Sequence, residues 1–283
     1  MKFTRAISLL LVAALLAAAC GSDDDGSDEA SSGESASCET LPTKVDGTLT
    51  VATGEPVFPP WMEDDDPSNE MGFESALVYA LAGELGIETV EWTRTGFDEA
   101  IAVGETDYDF NIQQYSINAE RDRVVDFSDG YYQVEQAIIG QADSPAASAQ
   151  SIADLKDLRL GAAIGTTSLD YIETTIEPSS EAAVYDDNVA TKAAFDAGQV
   201  DGIVMDLPTA YFITAVEIPD ASIIGVLPRA GSDPEELGML FEDGSPLVAC
   251  VNVALATLRD NGTLDALEDE WLNQGGSIPS LSN

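Results

Sequence analysis

The stretch SALVYALAGELGIETVEW, residues 75–92, holds the change of period on which the fold turns. Leu77, Leu81 and Leu85 recur every four residues and lay one apolar stripe along a helix over 75–85. Gly86 stops that helix, and Thr89 to Trp92 is β-prone. Upstream, Thr48 to Thr53 reads as a strand, and the loop from Gly54 to Trp61 carries too many prolines to be helical. Downstream, Phe97 to Val103 is a short helix that starts near Gly96 or Asp98, and Asp109 to Gln113 is a third strand. Strands alternating with helices predict a parallel sheet covered by helices.

The same alternation restarts after Tyr132. Gln136 to Gly140, Leu160 to Ile164, Ala183 to Tyr185 and Gly202 to Met205 read as strands. Helices are expected over 151–157, where Ser151 and Asp154 resemble a capping box, over 168–176, and from a cap at Asn188 to Ala197. Ile223 to Val226 and Leu237 to Phe241 are further strands. The chain then turns helical, with Ser245 and Pro246 before a pattern ending at Leu258 and Thr263 capping a last helix through Trp271. The class is α/β in two lobes, each a mainly parallel sheet. Two crossovers, near 131–136 and 229–236, make the hinge, so the second lobe is inserted in the first.

Composition narrows the function. The 283 residues carry 52 acidic and 11 basic side chains, a formal charge of −41, and no histidine. Nucleic acid is excluded as a partner, because a phosphate backbone needs clustered Lys and Arg. A His-based triad or His-ligated metal is impossible, and no metal or cofactor is expected. Charge of this size favours a salty external medium, where self-repulsion is screened.

The N-terminus reads as an export signal over 1–19. Lys2 and Arg5 precede an apolar run from Ala6 to Ala19, too short for a comfortable membrane span. The run ends at Cys20 and gives way to an acidic Gly/Ser segment. This junction resembles a bacterial lipobox and implies that Cys20 is lipidated, which would anchor the protein to the outer face of the cell membrane. An ordinary secretory signal is the alternative. Residues 20–37 lack aromatics and read as a disordered tether. Outside the cytoplasm Cys38 and Cys250 are expected to bridge, the alternative being two free thiols.

Sites in open α/β sheets lie beyond the carboxyl ends of strands. Three places qualify: the loop holding Glu55, Phe58 and Trp61; the segment from Gln113 and Gln114 through Ser116 to Arg121; and Gly165-Thr166-Thr167 together with Asp206. A guanidinium at Arg121 suits a carboxylate, with Ser116 as a further donor, although a surface ion pair with Glu120 or Asp122 would also explain it. Backbone amides at 165–167 suit the same anion, or form an ordinary loop and cap. Asp206 suits an ammonium group, or caps the helix after Leu207-Pro208. Phe58 and Phe97 suit an aromatic clamp, or simple core. Together these parts describe a cleft for a molecule with both an amine and a carboxylate.

Gly72-Phe73-Glu74, Phe97, Ser116-Ile117-Asn118-Ala119-Glu120-Arg121, Val125-Asp126-Phe127-Ser128 and Tyr131-Tyr132 resemble the signature run of the extracellular solute-binding proteins of polar amino-acid ABC importers. Leu155 to Leu158 with Leu160 to Thr167, and Leu258 to Leu272, resemble that family's second-lobe opening and C-terminal helices. The resemblance implies the type II periplasmic-binding-protein-like fold and a non-catalytic monomer that hands an amino acid to permease subunits. It assigns Arg121, Ser116 and the Thr166-Thr167 amides to the ligand carboxylate, Asp206 to its ammonium, and Phe58 and Phe97 to stacking. Glu55 falls where the family often has an Asp touching the ligand's distal polar group. Gln113 and Gln114 replace smaller residues and make the pocket narrower or richer in hydrogen bonds.

The expected organisation is a signal peptide over 1–19, the tether over 20–37, lobe one over 38–134 and 236–275, lobe two over 135–235, and a tail over 276–283. Glu55 favours a donor side chain such as glutamine, arginine or lysine. An acidic amino acid would need a second cation, for which Arg94 is the candidate. A dehydratase-like enzyme using Glu55 as acid or base is the catalytic alternative.

Overall fold

The computed structural model describes residues 38–102, 104–273 and 278–283. The expected signal peptide, Cys20, the tether and Val103 lie outside these residues. The strands are β1 (Thr48–Thr53), β2 (Thr89–Arg94), β3 (Phe110–Asn111), β4 (Val125–Phe127), β5 (Tyr132–Val134) and β6 (Gln136–Gln141). They continue with β7 (Leu160–Ala163), β8 (Ala183–Tyr185), β9 (Gly202–Asp206), β10 (Ala221–Val226), β11 (Glu235–Leu237) and β12 (Leu240–Glu242). One sheet has the order β2-β1-β3-β12-β4, the second β10-β6-β9-β7-β8, and β5 pairs with β11 as a separate ribbon. The chain therefore passes from the first sheet to the second through β5 and returns through β11, which makes the ribbon the hinge between two lobes.

Both sheets are mixed. β1 runs parallel to β2 and β3, and β9, β7 and β8 run parallel to one another. The remaining pairings are antiparallel, because β6 and β12 lead directly out of the hinge ribbon and enter their sheets against the local direction.

In the first lobe the helix α1 (Phe73–Leu85) begins two residues before the expected start and packs on α7 (Val248–Asp260) and α8 (Thr263–Trp271). Leu77 and Leu81 are fully buried, and Gly86 ends the helix in the left-handed region with its N–H on Ala82 and Gly83 carbonyls. Truncating either leucine to Ala would cost about 2–5 kcal/mol. Gly72, at φ 94°, is pressed against the Trp61–Met62 backbone, where a Cβ would sit 2.6 Å from the Trp61 carbonyl oxygen. Only glycine lets α1 start there. A disulfide between Cys38 and Cys250 ties the start of the described chain to α7.

In the second lobe the central strands are buried on both faces, as their unbroken apolar runs require. Ile138 and Val204 face one core cluster, and Ile139, Ile203 and Met205 face another. Around them stand α3 (Ile152–Leu155), α4 (Thr167–Tyr171), α5 (Asn188–Asp196) and α6 (Leu207–Phe212). The last residues return to this lobe. Leu281 is buried in the cluster around Ile138, and Val226 exchanges backbone hydrogen bonds with Pro279 and Leu281.

Several boundaries differ from expectation for local reasons. The third strand shrinks to Phe110–Asn111, because the Asp109 carboxylate takes the Lys44 and Thr50 amides and Gln114 turns left-handed. The strand expected over 237–241 is broken where the chain leaves the ribbon for the first sheet. Asp187, rather than Asn188, caps α5, accepting from the Ala190 N–H at 2.7 Å. α7 starts two residues after Pro246, and Gly262 occupies the cap position before α8.

Candidate functional site

A cavity of ≈ 470 Å³ lies where the two lobes meet. Glu55, Phe58, Trp61, Phe97, Gln113 and Gln114 line it from the first lobe, and Thr166 and Asp206 from the second. Ser116, Arg121, Gly165 and Thr167 lie just behind that wall. Thus the aromatic, amide and Asp206 positions expected from sequence share one space, and the expected anion-binding group stands as its backing.

The backing begins at Phe97, the first residue of α2 (Phe97–Ile101), which stacks on Tyr115 with ring centres 4.5 Å apart. The Arg121 guanidinium lies 5.4 Å from the Phe97 ring centre. It donates to the Ser116 carbonyl at 2.7 Å and across the lobes to the Gly165 carbonyl at 2.8 Å. Arg121 is 6% exposed and has no carboxylate within ion-pair distance among the described residues, so the surface ion pair is not its role. Burial lowers its pKa from the ordinary guanidinium value, opposed by the charges of Tyr115, Asp170, Glu235 and Asp206. Gly165, at φ 71°, packs so close to Asp98 of the first lobe that a side chain there would collide with the carboxylate.

Asp206 ends β9 and stands at the cap position of α6, yet its carboxylate makes no capping bond. It accepts instead from Gln136 Nε2 at 2.7 Å. Burial pushes its pKa up to about 7, with the charges of Glu235 and Glu74 acting in the same direction and Gln136 and Arg121 against. A carboxylate so poorly compensated by protein groups is suited to a positive ligand group. Gln136 is the junction here: its Oε1 accepts from Ser168, and its Nε2 also reaches Glu235 at 3.2 Å.

Glu74, in the first turn of α1, is fully buried and was legible only as part of a motif. It accepts from the Gln114 N–H, the Gln114 side-chain amide and the Tyr131 hydroxyl. Burial pushes its pKa up to about 7. These bonds hold Gln114 in the left-handed region, at φ 52°, and so set the wall carrying Gln113 and Gln114. Trp61 closes a further interlobe bond, donating from Nε1 to Thr209 Oγ1 at 2.9 Å.

The second lobe adds lining that sequence reading did not find: Asp186, Asp187, Lys192, Phe212 and Glu217. Asp186 and Asp187 follow the carboxyl end of β8, a place the strand-end rule does select, whereas Lys192 lies within α5, Phe212 ends α6 and Glu217 stands five residues beyond it. The charged lining is acidic apart from Lys192, which is itself paired with Glu217 at 2.9 Å. Arg94, the expected second cation, donates to the Gly54 and Asp65 carbonyls and is not in the cavity wall. Glu55 is exposed at the rim, which removes the burial that the acid–base reading required.

Residues 49–274 match the profile of bacterial extracellular solute-binding proteins, family 3. The L-cystine-binding protein TcyJ of Escherichia coli K12 is 28% identical over 227 residues, covering 80% of this chain and 82% of that protein. The ABC transporter arginine-binding protein 1 of the same strain is also 28% identical over 227 residues, covering 77% and 88%. Among solved structures, an ancestral arginine-binding protein bound to arginine superposes with a TM-score of 0.68 at 28% identity, covering 80% of this chain and 99% of that one.

Proposed function

Because the chain belongs to the bacterial extracellular solute-binding proteins of family 3, we propose that it captures a polar amino acid outside the cytoplasm and delivers it to an ABC permease. A donor side chain is favoured: glutamine, arginine or lysine. The carrying observation is a cavity at the lobe junction with one-sided charge, in which, among the described residues, Lys192 is the lone lining cation and is already paired. Asp206 takes the ammonium, and the distal donor lies among Glu55, Asp186, Asp187 and Glu217. Arg121, Ser116 and the Thr166-Thr167 amides take the α-carboxylate, with Phe58 and Phe97 against the side chain. Both ligand charges need partners, since an unpaired ion is costly to desolvate. Capture is followed by hinge closure through β5 and β11.

A thermal-shift screen of the twenty amino acids, followed by calorimetry, tests this. A polar, donor-bearing amino acid is expected to raise the melting temperature, and Arg121→Ala to weaken its binding by more than about tenfold, or about 1.4 kcal/mol. Equal affinity in the variant refutes the assignment of Arg121, and no response to any amino acid refutes the ligand class.

Lipid anchoring at Cys20 completes the proposal, supported by the small-residue junction and the acidic segment after it. The full-length protein should partition into detergent with the membrane fraction and Cys20→Ser should not. Equal partitioning of the two would remove the anchor.

A further inference from the structure

A serine hydroxyl has one proton to give, and in this cleft the proton of Ser116 is already claimed. Ser116 Oγ donates to Glu235 Oε1 at 2.6 Å. On its other side it meets Thr167 Oγ1 of the second lobe at 3.3 Å, and Thr167 Oγ1 in turn lies 3.5 Å from Gln136 Nε2. The donor direction follows from the chemistry. Gln136 Nε2 can only donate and the Glu235 carboxylate accepts, so the two hydroxyls between them pass their protons toward Glu235. The chain runs from lobe two to lobe one and ends on the hinge strand, because Glu235 opens β11. Ser116 is 3% exposed, and its backbone bridges to Leu237 of the same strand, which holds its hydroxyl beside Glu235.

We propose that Glu235 is a built-in stand-in for the ligand carboxylate. It orients the hydroxyls of Ser116 and Thr167 and bridges the lobes through them. A bound α-carboxylate must take the Ser116 proton from it. This rests on the amino-acid reading given above. It makes Glu235 a specificity residue that acts through Ser116: the residue sets a threshold for molecules carrying a carboxylate and imposes none on cations that lack one.

The test compares L-arginine with agmatine, the same molecule without its carboxylate, by calorimetry on the full chain at pH 7.5. Glu235→Gln keeps the shape and can still accept from Ser116, but it removes the competing charge. L-arginine should bind Glu235→Gln at least tenfold more tightly than wild type, whereas agmatine should gain less than twofold or weaken. Glu235→Asp, which retains the charge but withdraws it by one methylene, should give a smaller gain for L-arginine and keeps the test open if the Gln variant fails to fold. Unchanged or weaker L-arginine binding in a folded Glu235→Gln variant would overturn the proposal, as would an equal gain for agmatine. If wild type binds none of L-arginine, L-lysine and L-glutamine, the underlying ligand reading has failed and the stand-in role goes with it.

Discussion

Acidifying the medium should weaken ligand binding through Asp206, and the size of the effect follows from its surroundings. Burial, reinforced by Glu235 and Glu74, pushes the Asp206 pKa up to about 7. An ammonium group pairs with the ionised form only, so the apparent dissociation constant scales as 1 + 10^(7 − pH). The factor is about 1.1 at pH 8, about 11 at pH 6 and about 100 at pH 5, the last equal to about 2.7 kcal/mol. Binding at pH 6 should accordingly release close to one proton, about 0.9 per ligand, and at pH 8 about 0.1. Calorimetry in buffers of different ionisation enthalpy reads both quantities. For the empty protein the sign is the opposite of the usual carboxylate case. A folded pKa raised above the unfolded value means that this group's contribution to stability is fully present below about pH 4 and is lost as pH rises through about 7. Glu74 titrates in the same range but makes no contact with the cavity in its own right. Glu74→Gln should therefore keep a pH dependence of binding, moved to lower pH because its charge no longer raises Asp206, while Asp206→Asn should bind weakly and without it. A dissociation constant that changes less than threefold between pH 8 and 5.5, with no proton released, would refute Asp206 as the ammonium partner.

Two stability predictions accompany it. The Cys38–Cys250 bridge closes a loop of 212 residues in sequence, so on the chain-entropy relation reduction or Cys250→Ser should cost about 5 kcal/mol in denaturant unfolding; a loss below about 1 kcal/mol would show that the unfolded chain is not what the bridge restrains. Glu74 is fully buried with its pKa at about 7, so its ionisation opposes folding as pH rises from about 4.5 to 7. Glu74→Gln should then gain about 3 kcal/mol more, relative to wild type, at pH 8 than at pH 4, and an equal difference at both pH values would refute the burial argument.

The parts of this fold that could be read from sequence are those whose periodicity and burial coincide. The stripe of Leu77, Leu81 and Leu85 states which face of its helix packs inward, and the unbroken apolar run Gly202 to Met205 states burial on both faces, and the structure packs them so. Asp206 was legible for the same reason: an acid directly after an apolar strand has to emerge at the strand's carboxyl end, where sites form. Most of the members that escaped notice have no such local sign. Gln136 begins an apolar strand and looks like a polar boundary residue. Glu235 lies between Asp233 and Glu236 in a loop-like stretch, 119 positions from the serine it binds. Asp186 and Asp187 directly follow the strand Ala183 to Tyr185 and carry the same sign as Asp206, whereas Glu217 is indistinguishable in sequence from the many other acids of a chain with 52 of them. Their significance comes only from the two crossovers, which bring Ser116, Gln136 and Glu235 to one point. That point is where a closing cleft has to decide between its own carboxylate and one arriving from solvent. A ligand-binding hinge of this kind needs partners that are satisfied when empty, because unpaired buried polar groups would destabilise the closed arrangement. The same bonds must then be surrendered on binding. The affinity of such a protein is consequently a difference between two nearly balanced networks, so Glu235→Gln should tighten binding while the equal change Asp206→Asn should weaken it.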